Sequence, residues 1–183
     1  MNAKRRYRVR AFEPRDAEDV AQMFADFMAE NLNFRPSPVP LNAKVILAEG
    51  QGKKFRTVVA VDESDNPIGY AMWVPTFDFH HAVDGAAIQE LYVQPRHRGR
   101  ALSFRLAAAI AKRIQKDGGT FLTAPVLTDD AKRLKLVRRA TVGFSLEQVY
   151  LSGRGFRELI ELEDADIKTL VRKLPKPEAT KEP

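Results

Sequence analysis

Hydrophobic residues recur with two different periods along the chain, which predicts interleaved strands and helices. Where every second residue is apolar, as in 7–12, we expect a strand, and where apolar residues recur every three or four positions, as in 13–32, we expect a helix. In that helix Val20, Met23 and Phe27 fall on one face, which predicts packing on a core. The same patterns predict strands over 55–63, 68–75, 86–93, 120–127, 144–151 and 156–162, and helices over 41–49, between Gly99 and Gly118, and over 128–140.

The order of these elements indicates the fold class. The segment SDNP at 64–67 predicts a hairpin turn between two strands, whereas helices separate other neighbouring strands. Hairpins give antiparallel pairs and helical crossovers give parallel pairs, so we expect a mixed sheet in an α/β or α+β fold of three layers. One domain over 1–164 holds these elements. The remainder, 165–183, is expected to hold the end of a C-terminal helix and a disordered tail.

Composition and charge narrow the class of protein. The 183 residues include no cysteine, which excludes disulfides, thiolate-bound metals and a cysteine nucleophile within this chain. No apolar run is long enough to cross a membrane, and the basic start lacks the apolar stretch of a secretory signal, so we expect a cytoplasmic protein. The formal net charge of +6 indicates attraction to nucleic acid, acidic protein or a phosphorylated cofactor, or else only a basic surface.

The stretch LYVQPRHRGRALSFRL, at 91–106, places basic residues at a predicted strand-to-helix junction. Unpaired N–H groups at a helix start, a glycine that permits close approach, and nearby arginines together suit a pyrophosphate. The spacing matches neither the Walker loop nor the dinucleotide-binding G-x-G-x-x-G. The residues by themselves leave two interpretations, an anion site or an ordinary basic turn. The side chains around Gly99 are Arg96, His97, Arg98 and Arg100.

The segment RHRGRA, at 96–101, resembles the R/Q-x-x-G-x-G/A signature of the GNAT superfamily of N-acetyltransferases. The preceding LYVQP, the opening YRVRAFEPRDAEDVAQMF, the hairpin VVAVDESDNPIGYAMW and the closing GFSLEQVYL and GFRELIEL also resemble this superfamily. The likeness therefore covers about 7–162. It implies an acyl-CoA N-acyltransferase fold, a three-layer α/β/α arrangement with a mixed sheet whose middle strands splay apart.

The resemblance also implies an enzyme, an N-acetyltransferase, and its co-substrate. Acetyl-CoA would enter between the splayed strands, without a metal, and a primary amine of a small molecule or protein would attack the thioester directly in a ternary complex. No membrane partner is implied, nucleic acid is not expected, and a homodimer is left open. The resemblance places the pantetheine arm along Leu91, Tyr92 and Val93, and the pyrophosphate on Arg96, His97, Arg98, Gly99, Arg100, Ala101 and Leu102.

Within the superfamily, 73–93 most resembles the polyamine and thialysine acetyltransferases. In that branch an aromatic-rich loop precedes an acidic pair, and the matching pair here is Gln89 and Glu90. The branch's usual base falls on Gln89, whose amide does not accept a proton near neutral pH. The resemblance therefore makes Glu90 the catalytic base, as in many other members whose acid acts through water. The alternative is that Glu90 only pairs with basic neighbours or is hydrogen-bonded beneath the sheet.

A tyrosine that protonates the leaving thiolate in many members has no clear counterpart here. Counting back from the Gly-Phe turn at 143–144 reaches Arg139, and counting along the helix pattern reaches Lys135, while Tyr150 lies in a later strand. Because of this difference and of Gln89, a second interpretation stays open. The chain would then be a binding or structural protein of the same fold, with weakened catalysis, that can still bind coenzyme A.

Two further segments carry more than one interpretation. The run KRLKLVRR, at 132–139, is a solvated helix face, a neighbour of the adenosine 3′-phosphate, or a nucleic-acid contact that lacks the aromatic residues of a stacking platform. The histidine pair at 80–81 lies in a predicted polar loop over 76–85. These histidines are expected to contact the substrate, to act as a base, or simply to be exposed. Asp78 and Asp84 of this loop are expected near the acceptor entrance, and the identity of the acceptor is open.

Overall fold

A computed structural model describes residues 7–30 and 41–125 of the chain. No helix within these ranges is long and apolar enough to cross a membrane. Its helices and strands are β1 (Arg8–Ala11), α1 (Ala17–Glu30), α2 (Ala43–Glu49), β2 (Arg56–Val61), β3 (Pro67–Asp78), β4 (Val83–Val93), α3 (Leu102–Lys116) and β5 (Phe121–Thr123). The predictions that lie outside the described residues are the helix over 128–140, the strands over 144–151 and 156–162, the domain boundary after 164, and the roles of Lys135, Arg139 and Tyr150.

The five strands form one sheet in the order β1-β2-β3-β4-β5. The pairs β1–β2, β2–β3 and β3–β4 are antiparallel, and the pair β4–β5 is parallel. The parallel pair is connected through α3, because parallel neighbours need a crossover rather than a tight turn. The prediction of a mixed sheet is confirmed.

Helices cover both faces of this sheet and complete three layers. On one face, α1 and α2 bury Val20, Met23 and Ile46 against Tyr70 and Tyr92 of the sheet. On the other face, the four-residue step of α3 brings one apolar side chain onto the sheet at each turn, and full burial of each contributes about 1.5–3 kcal/mol. The predicted three-layer α/β/α fold is therefore the one observed. The buried stripe of α3 is Leu102, Leu106, Ile110 and Ile114.

The first helix begins later than the sequence predicts. Instead of one helix over 13–32, a single 3-10 turn over Pro14–Asp16 precedes α1. The Asp16 carboxylate accepts the backbone N–H of Glu13 at 2.7 Å and two hydrogen bonds from the Arg10 guanidinium at 2.7 and 2.8 Å. Because Asp16 is only 2% exposed, this charge requires such pairing, and the pairing fixes the end of β1 against the start of the helix.

The β3–β4 hairpin is longer than the sequence predicts. The prediction of a polar loop over 76–85 is wrong, because β3 continues to Asp78 and β4 already begins at Val83. The added strand segments are paired across the hairpin, with Phe77 opposite Asp84. Aromatic and charged residues mix there without a consistently apolar face, so periodicity gives no strand signal. The partner strand, rather than the local pattern, determines this conformation.

Candidate active site

Among the strands that the structure describes, none pairs with one edge of β4 over half of its length. The parallel pairing with β5 extends only from Gly85 to Ala87, whereas β4 continues to Val93. Within the described ranges, no strand pairs with β4 on that side over 88–93. The exposed backbone N–H and C=O groups of such an edge can receive an extended ligand that carries amides, as an added strand would.

A β-bulge lies at the point where the two strands separate. Met72 lies opposite Glu90 and Trp73 lies opposite Ile88, so Gln89 is an extra residue without a cross-strand partner. Residues directly opposite each other point to the same face, so the bulge puts Ile88 on the α3 face and Glu90 on the α1 face. Gln89 itself is exposed.

Glu90 is half-buried on this face, near Tyr70 and Tyr92. In the part of the chain that the structure describes, its carboxylate makes no hydrogen bond and no ion pair, which removes the described basic residues as its partners. Burial raises the pKa of Glu90 to about 7 from the ordinary 4.5, since the charged form loses hydration without gaining a partner. A carboxylate with such a pKa is suited to accept a proton near neutral pH.

The loop between β4 and α3 contains two residues with a positive φ and leads directly into the start of a helix. A 3-10 turn over Pro95–His97 is followed by Gly99 with a φ of +76° and by Ala101 with a φ of +56°. Ala101 is the residue before α3, and no side chain caps the helix there. Among the described residues, the N–H groups of Gly99, Arg100 and Ala101 have no hydrogen-bond acceptor. Together with the first turn of α3 they form a positive cradle for an anion.

The structure gives the three arginines of this loop different surroundings. Arg98 is committed to other groups, because its Nε donates to the carbonyl oxygen of Val93 at 2.9 Å and its Nη2 donates to Glu30 at 2.6 Å. Arg100 lies over the ring of Tyr7, 5.3 Å from its centroid. Among the described residues, the exposed Arg96 donates its Nε only to the half-buried Gln94 and His97, at 3.3 and 3.1 Å. Arg96 and Arg100 therefore hold charges that an incoming phosphate can approach, whereas the charge of Arg98 is already paired.

Four of the other residues predicted to bind the cofactor could offer a ligand only their backbone. Tyr92 and Leu102 are buried in the two cores, at 4% and 2% exposure, so neither side chain faces a ligand. Leu91 packs against the α3 face, and Val93 is also buried. The carbonyl oxygen of Val93 is occupied by Arg98. What these residues offer a ligand is the free edge of β4 and the start of α3.

Two residues of the site were not singled out by the sequence. The hydroxyl of Tyr70 is buried and makes no hydrogen bond within the described residues, and burial, with the nearby Glu90 charge, raises its pKa well above the ordinary value. The alternation of side chains along the predicted strand over 68–75 puts Tyr70 and Met72 on one face. This alternation is the only sequence signal that points to the position of Tyr70. Glu30 accepts from Arg98 and Tyr92, 68 and 62 residues away along the chain, and no local pattern reveals such a contact.

The tip of the β3–β4 hairpin holds the histidine pair. The Nδ1 of His81 lies 2.8 Å from Oδ2 of Asp78, and Oδ1 of the same carboxylate accepts the backbone N–H of His80 at 2.8 Å. This bonding lowers the pKa of Asp78. Phe77 and Phe79 are exposed nearby and contact each other edge to face at 5.3 Å. The tip is therefore an exposed aromatic and polar surface whose Asp78 is engaged in closing the turn.

A separate cavity of about 340 Å³ lies at the opposite end of α3. Its walls include Arg56, Trp73, Arg113 and Lys116, and none of the residues discussed above for catalysis or anion binding. Basic side chains at the last turn of a helix complement its dipole, which accounts for their presence without a ligand. The candidate site is therefore the open edge of β4 with the adjoining loop, not this cavity.

A comparison with protein families identifies one family. Residues 18–144 match the sequence model of the acetyltransferase (GNAT) family. No curated protein matches the chain in sequence.

Solved structures share the fold at low sequence identity. An integron cassette protein from V. cholerae is 12% identical with a TM-score of 0.67, covering 86% of this chain and 99% of its own. A ribosomal-protein-alanine N-acetyltransferase from Brucella melitensis is 17% identical with a TM-score of 0.61, covering 80% and 99%. An aminoglycoside acetyltransferase from an uncultured soil sample, crystallised with sisomicin, is 14% identical with a TM-score of 0.65, covering 81% and 97%. These likenesses concern the fold.

Proposed function

Because the chain belongs to the GNAT acetyltransferase family, we propose that it transfers the acetyl group of acetyl-CoA to a primary amine with Glu90 as the general base. The family uses acetyl-CoA as its co-substrate. The observation that carries the assignment of the base is the position of Glu90: half-buried, without a charged partner among the described residues, and at the bulge where the edge of β4 becomes free. The proposed place of action is the cytoplasm.

The co-substrate has a matching surface along β4 and the following loop. The pantetheine amides would pair with the free backbone groups over 88–92, and the pyrophosphate would accept hydrogen bonds from the N–H groups of Gly99 to Leu102. Arg96 and Arg100 would add positive charge. Gly99 supports the proposal because its positive φ gives the loop its shape, while nothing lies within 4 Å of a Cβ added there.

The chemistry requires a neutral amine beside the thioester. Glu90 takes one proton from the acceptor ammonium through a water molecule, and the nitrogen lone pair then attacks the thioester carbonyl carbon. As the C–S bond breaks, the second nitrogen proton goes to the departing thiolate, and an amide and coenzyme A are formed. Glu90 returns its proton to solvent. A base with a pKa of about 7 is ionised often enough at neutral pH to begin this cycle again.

The proposed acceptor is a cationic amine of the polyamine or thialysine kind. The exposed carboxylate of Asp84, on the β3–β4 hairpin, supports this class by its charge. The resemblance of 73–93 to that branch points the same way. A protein amine or an aminoglycoside is the competing acceptor class, and a panel of amines separates them.

One observation favours a second function, a protein of this family that binds coenzyme A with weakened catalysis. Gln89, an amide, occupies the position of the usual base in the polyamine and thialysine branch, and it is exposed at the bulge. The two functions differ in turnover but not in binding of coenzyme A.

The test is a thiol-release assay with acetyl-CoA and a panel of spermidine, thialysine, an aminoglycoside and a peptide amine. We expect turnover with spermidine or thialysine, and we expect Glu90→Gln to lower kcat about 100-fold, as for the loss of a general base. Glu63→Gln is the control, since Glu63 is an exposed turn residue that loses the same charge. Coenzyme A binding without turnover on any amine would favour the second function, and full activity of Glu90→Gln would reject the assignment of the base.

A further inference from the structure

Glu30, the last residue of α1, joins three parts of the molecule through one carboxylate. Its Oε1 accepts the hydroxyl of Tyr92 at 2.7 Å, and its Oε2 accepts the Nη2 of Arg98 at 2.6 Å. The Arg98 guanidinium also lies over the Tyr92 ring, 5.2 Å from its centroid. We call Glu30, Tyr92 and Arg98 the Glu30 cluster. None of its side chains takes part in the acetyl transfer described above.

Arg98 links this cluster to the end of β4. While Nη2 bonds to Glu30, its Nε donates to the carbonyl oxygen of Val93 at 2.9 Å. The guanidinium therefore spans from α1 to the last residue of the strand, and it belongs to the residue that directly precedes Gly99. Charge-assisted bonds of this kind are short and direction-dependent, so the backbone at Arg98 is held in one orientation.

Packing holds only part of this loop: His97 and Arg100 both contact the ring of Tyr7, but Gly99 between them has no such contact. Nothing lies within 4 Å of a Cβ added to Gly99, and both Gly99 and Ala101 have positive φ values, a conformation that costs free energy for a non-glycine residue. On its C-terminal side the loop is fixed by Leu102, which is buried in the core. On its N-terminal side the fixed point is Arg98, held by Glu30.

We propose that Glu30 is a positioning residue that acts through Arg98 to keep the pyrophosphate loop in its binding conformation. This inference rests on the proposed function, because it concerns the coenzyme A site described there. A loop that is already ordered loses less conformational entropy when the ligand binds, and affinity rises accordingly. Arg98, which the family resemblance places among the pyrophosphate ligands, then contributes through the loop rather than by direct contact.

The charge of Glu30 makes the direction of the change in coenzyme A affinity a test of this proposal. Glu30 is an anion beside a loop that is proposed to bind an anion, and its pKa is lowered by the Tyr92 hydroxyl first and by Arg98 second, so it is charged at neutral pH. If charge alone mattered, removal of the carboxylate would tighten coenzyme A binding, because repulsion is lost and Arg98 is released. If positioning matters, removal weakens binding.

The experiment is calorimetry of coenzyme A with the full chain, with the single variants Glu30→Gln, Glu18→Gln and Arg98→Gln, and with the double variant. Glu30→Gln is expected to weaken binding about tenfold through loss of preorganisation, to raise KM for acetyl-CoA by the same factor, and to leave kcat nearly unchanged. Glu18→Gln, an exposed carboxylate in the first turn of the same helix, is the matched control and should bind like the wild type. In the double variant Glu30→Gln with Arg98→Gln, the loss should not exceed that of Arg98→Gln alone, since both changes break one unit.

Four outcomes would overturn the proposal. Tighter or unchanged binding by Glu30→Gln would show that the carboxylate does not position the loop, and independent, multiplying losses in the double variant would make Arg98 a direct phosphate ligand. If Glu30→Gln melts at a lower temperature than the wild type, the test uses Tyr92→Phe instead, because this variant removes only the hydroxyl. Tyr92→Phe should weaken coenzyme A binding about twofold. Unchanged binding by Tyr92→Phe would again reject the proposal. Absence of binding by the wild type would reject the proposed function itself and this inference with it.

Discussion

The bulge in β4 and the end of α1 each present one glutamate, and the two glutamates have opposite environments. Glu90 is half-buried and has no hydrogen-bond partner among the described residues, and its pKa rises to about 7. Both carboxylate oxygens of Glu30 accept hydrogen bonds, and its pKa falls below the ordinary 4.5. The pKa of one residue type is therefore shifted in opposite directions, according to whether the carboxylate loses hydration without compensation or receives hydrogen-bond donors in exchange.

The two pKa shifts distinguish a carboxylate that can exchange protons from one that holds other side chains in place. A carboxylate with a raised pKa can accept and release protons near neutral pH, and it does so at the price of lower stability when ionised. A carboxylate with a lowered pKa stays charged and holds its donors in place. In this protein the first lies where β4 loses its partner strand, and the second lies behind the loop that leads into α3.

The largest expected difference between the two glutamates is in the pH dependence of stability. The folded pKa of Glu90 lies above 4.5, so its charge lowers stability progressively as the pH rises from about 5 to 7. The free energy of unfolding of Glu90→Gln, relative to wild type, should therefore rise by about 2 kcal/mol between pH 5 and 8. Urea unfolding at both pH values measures this difference.

Glu30→Gln should behave in the opposite way in the same experiment. The folded pKa of Glu30 lies below 4.5, so its contribution is complete above that pH and is lost as the pH falls through the folded pKa. The difference in free energy of unfolding between this variant and wild type should stay constant from pH 5 to 8 and become smaller below pH 4.5. If the free energy of unfolding changed with pH in the same way in both variants, the two glutamates would not have the opposite environments described above.

A second prediction concerns the glycines at the two ends of α3. Gly99 and Gly118 both have positive φ, +76° and +85°, and both have open space around an added Cβ. Alanine should cost about 1 kcal/mol of stability at either position, because the left-handed backbone is strained for it. Only Gly99→Ala should also weaken coenzyme A binding, about tenfold, since it distorts the N–H cradle. Calorimetry that shows equal affinity for the two variants would place the anion elsewhere.

The smallest expected effect is a difference in stability between variants of the two tyrosines on the α1 face. The Tyr92 hydroxyl donates to Glu30, whereas the Tyr70 hydroxyl is buried without a partner among the described residues. Tyr92→Phe should lower the free energy of unfolding by about 1 kcal/mol, and Tyr70→Phe should leave it unchanged or raise it. Urea unfolding at pH 7 compares them. An equal loss in both would mean that Tyr70 has a partner, such as a water shared with Glu90.

Local patterns predict the fold well because its signals repeat over many residues. The four-residue step from Leu102 to Ile114, and the alternation in β2 and the first half of β3, each involve a complete apolar face. The basic loop around Gly99 is also visible locally, since a strand, a glycine and a helix start follow one another directly.

Non-local features are the ones that the sequence does not predict. The bulge at Gln89 depends on how β4 aligns with β3, and the extension of the hairpin over 76–85 depends on the same pairing. The Glu30 cluster joins residues more than 60 positions apart, and a family signature treats Arg98 only as part of the loop. The sequence therefore predicts which residues are near the site, while the pairing of strands determines which of them remain free to react.

The pH dependence of kcat/KM, for wild type and Glu90→Gln on the best amine of the panel, tests the central claim most directly. For the wild type we predict an acidic limb with an apparent pKa near 7, the value that burial gives to Glu90. In Glu90→Gln that limb should disappear together with most of the activity. An unchanged limb in the variant would show that another group accepts the proton, and would contradict the assignment of Glu90 as the base.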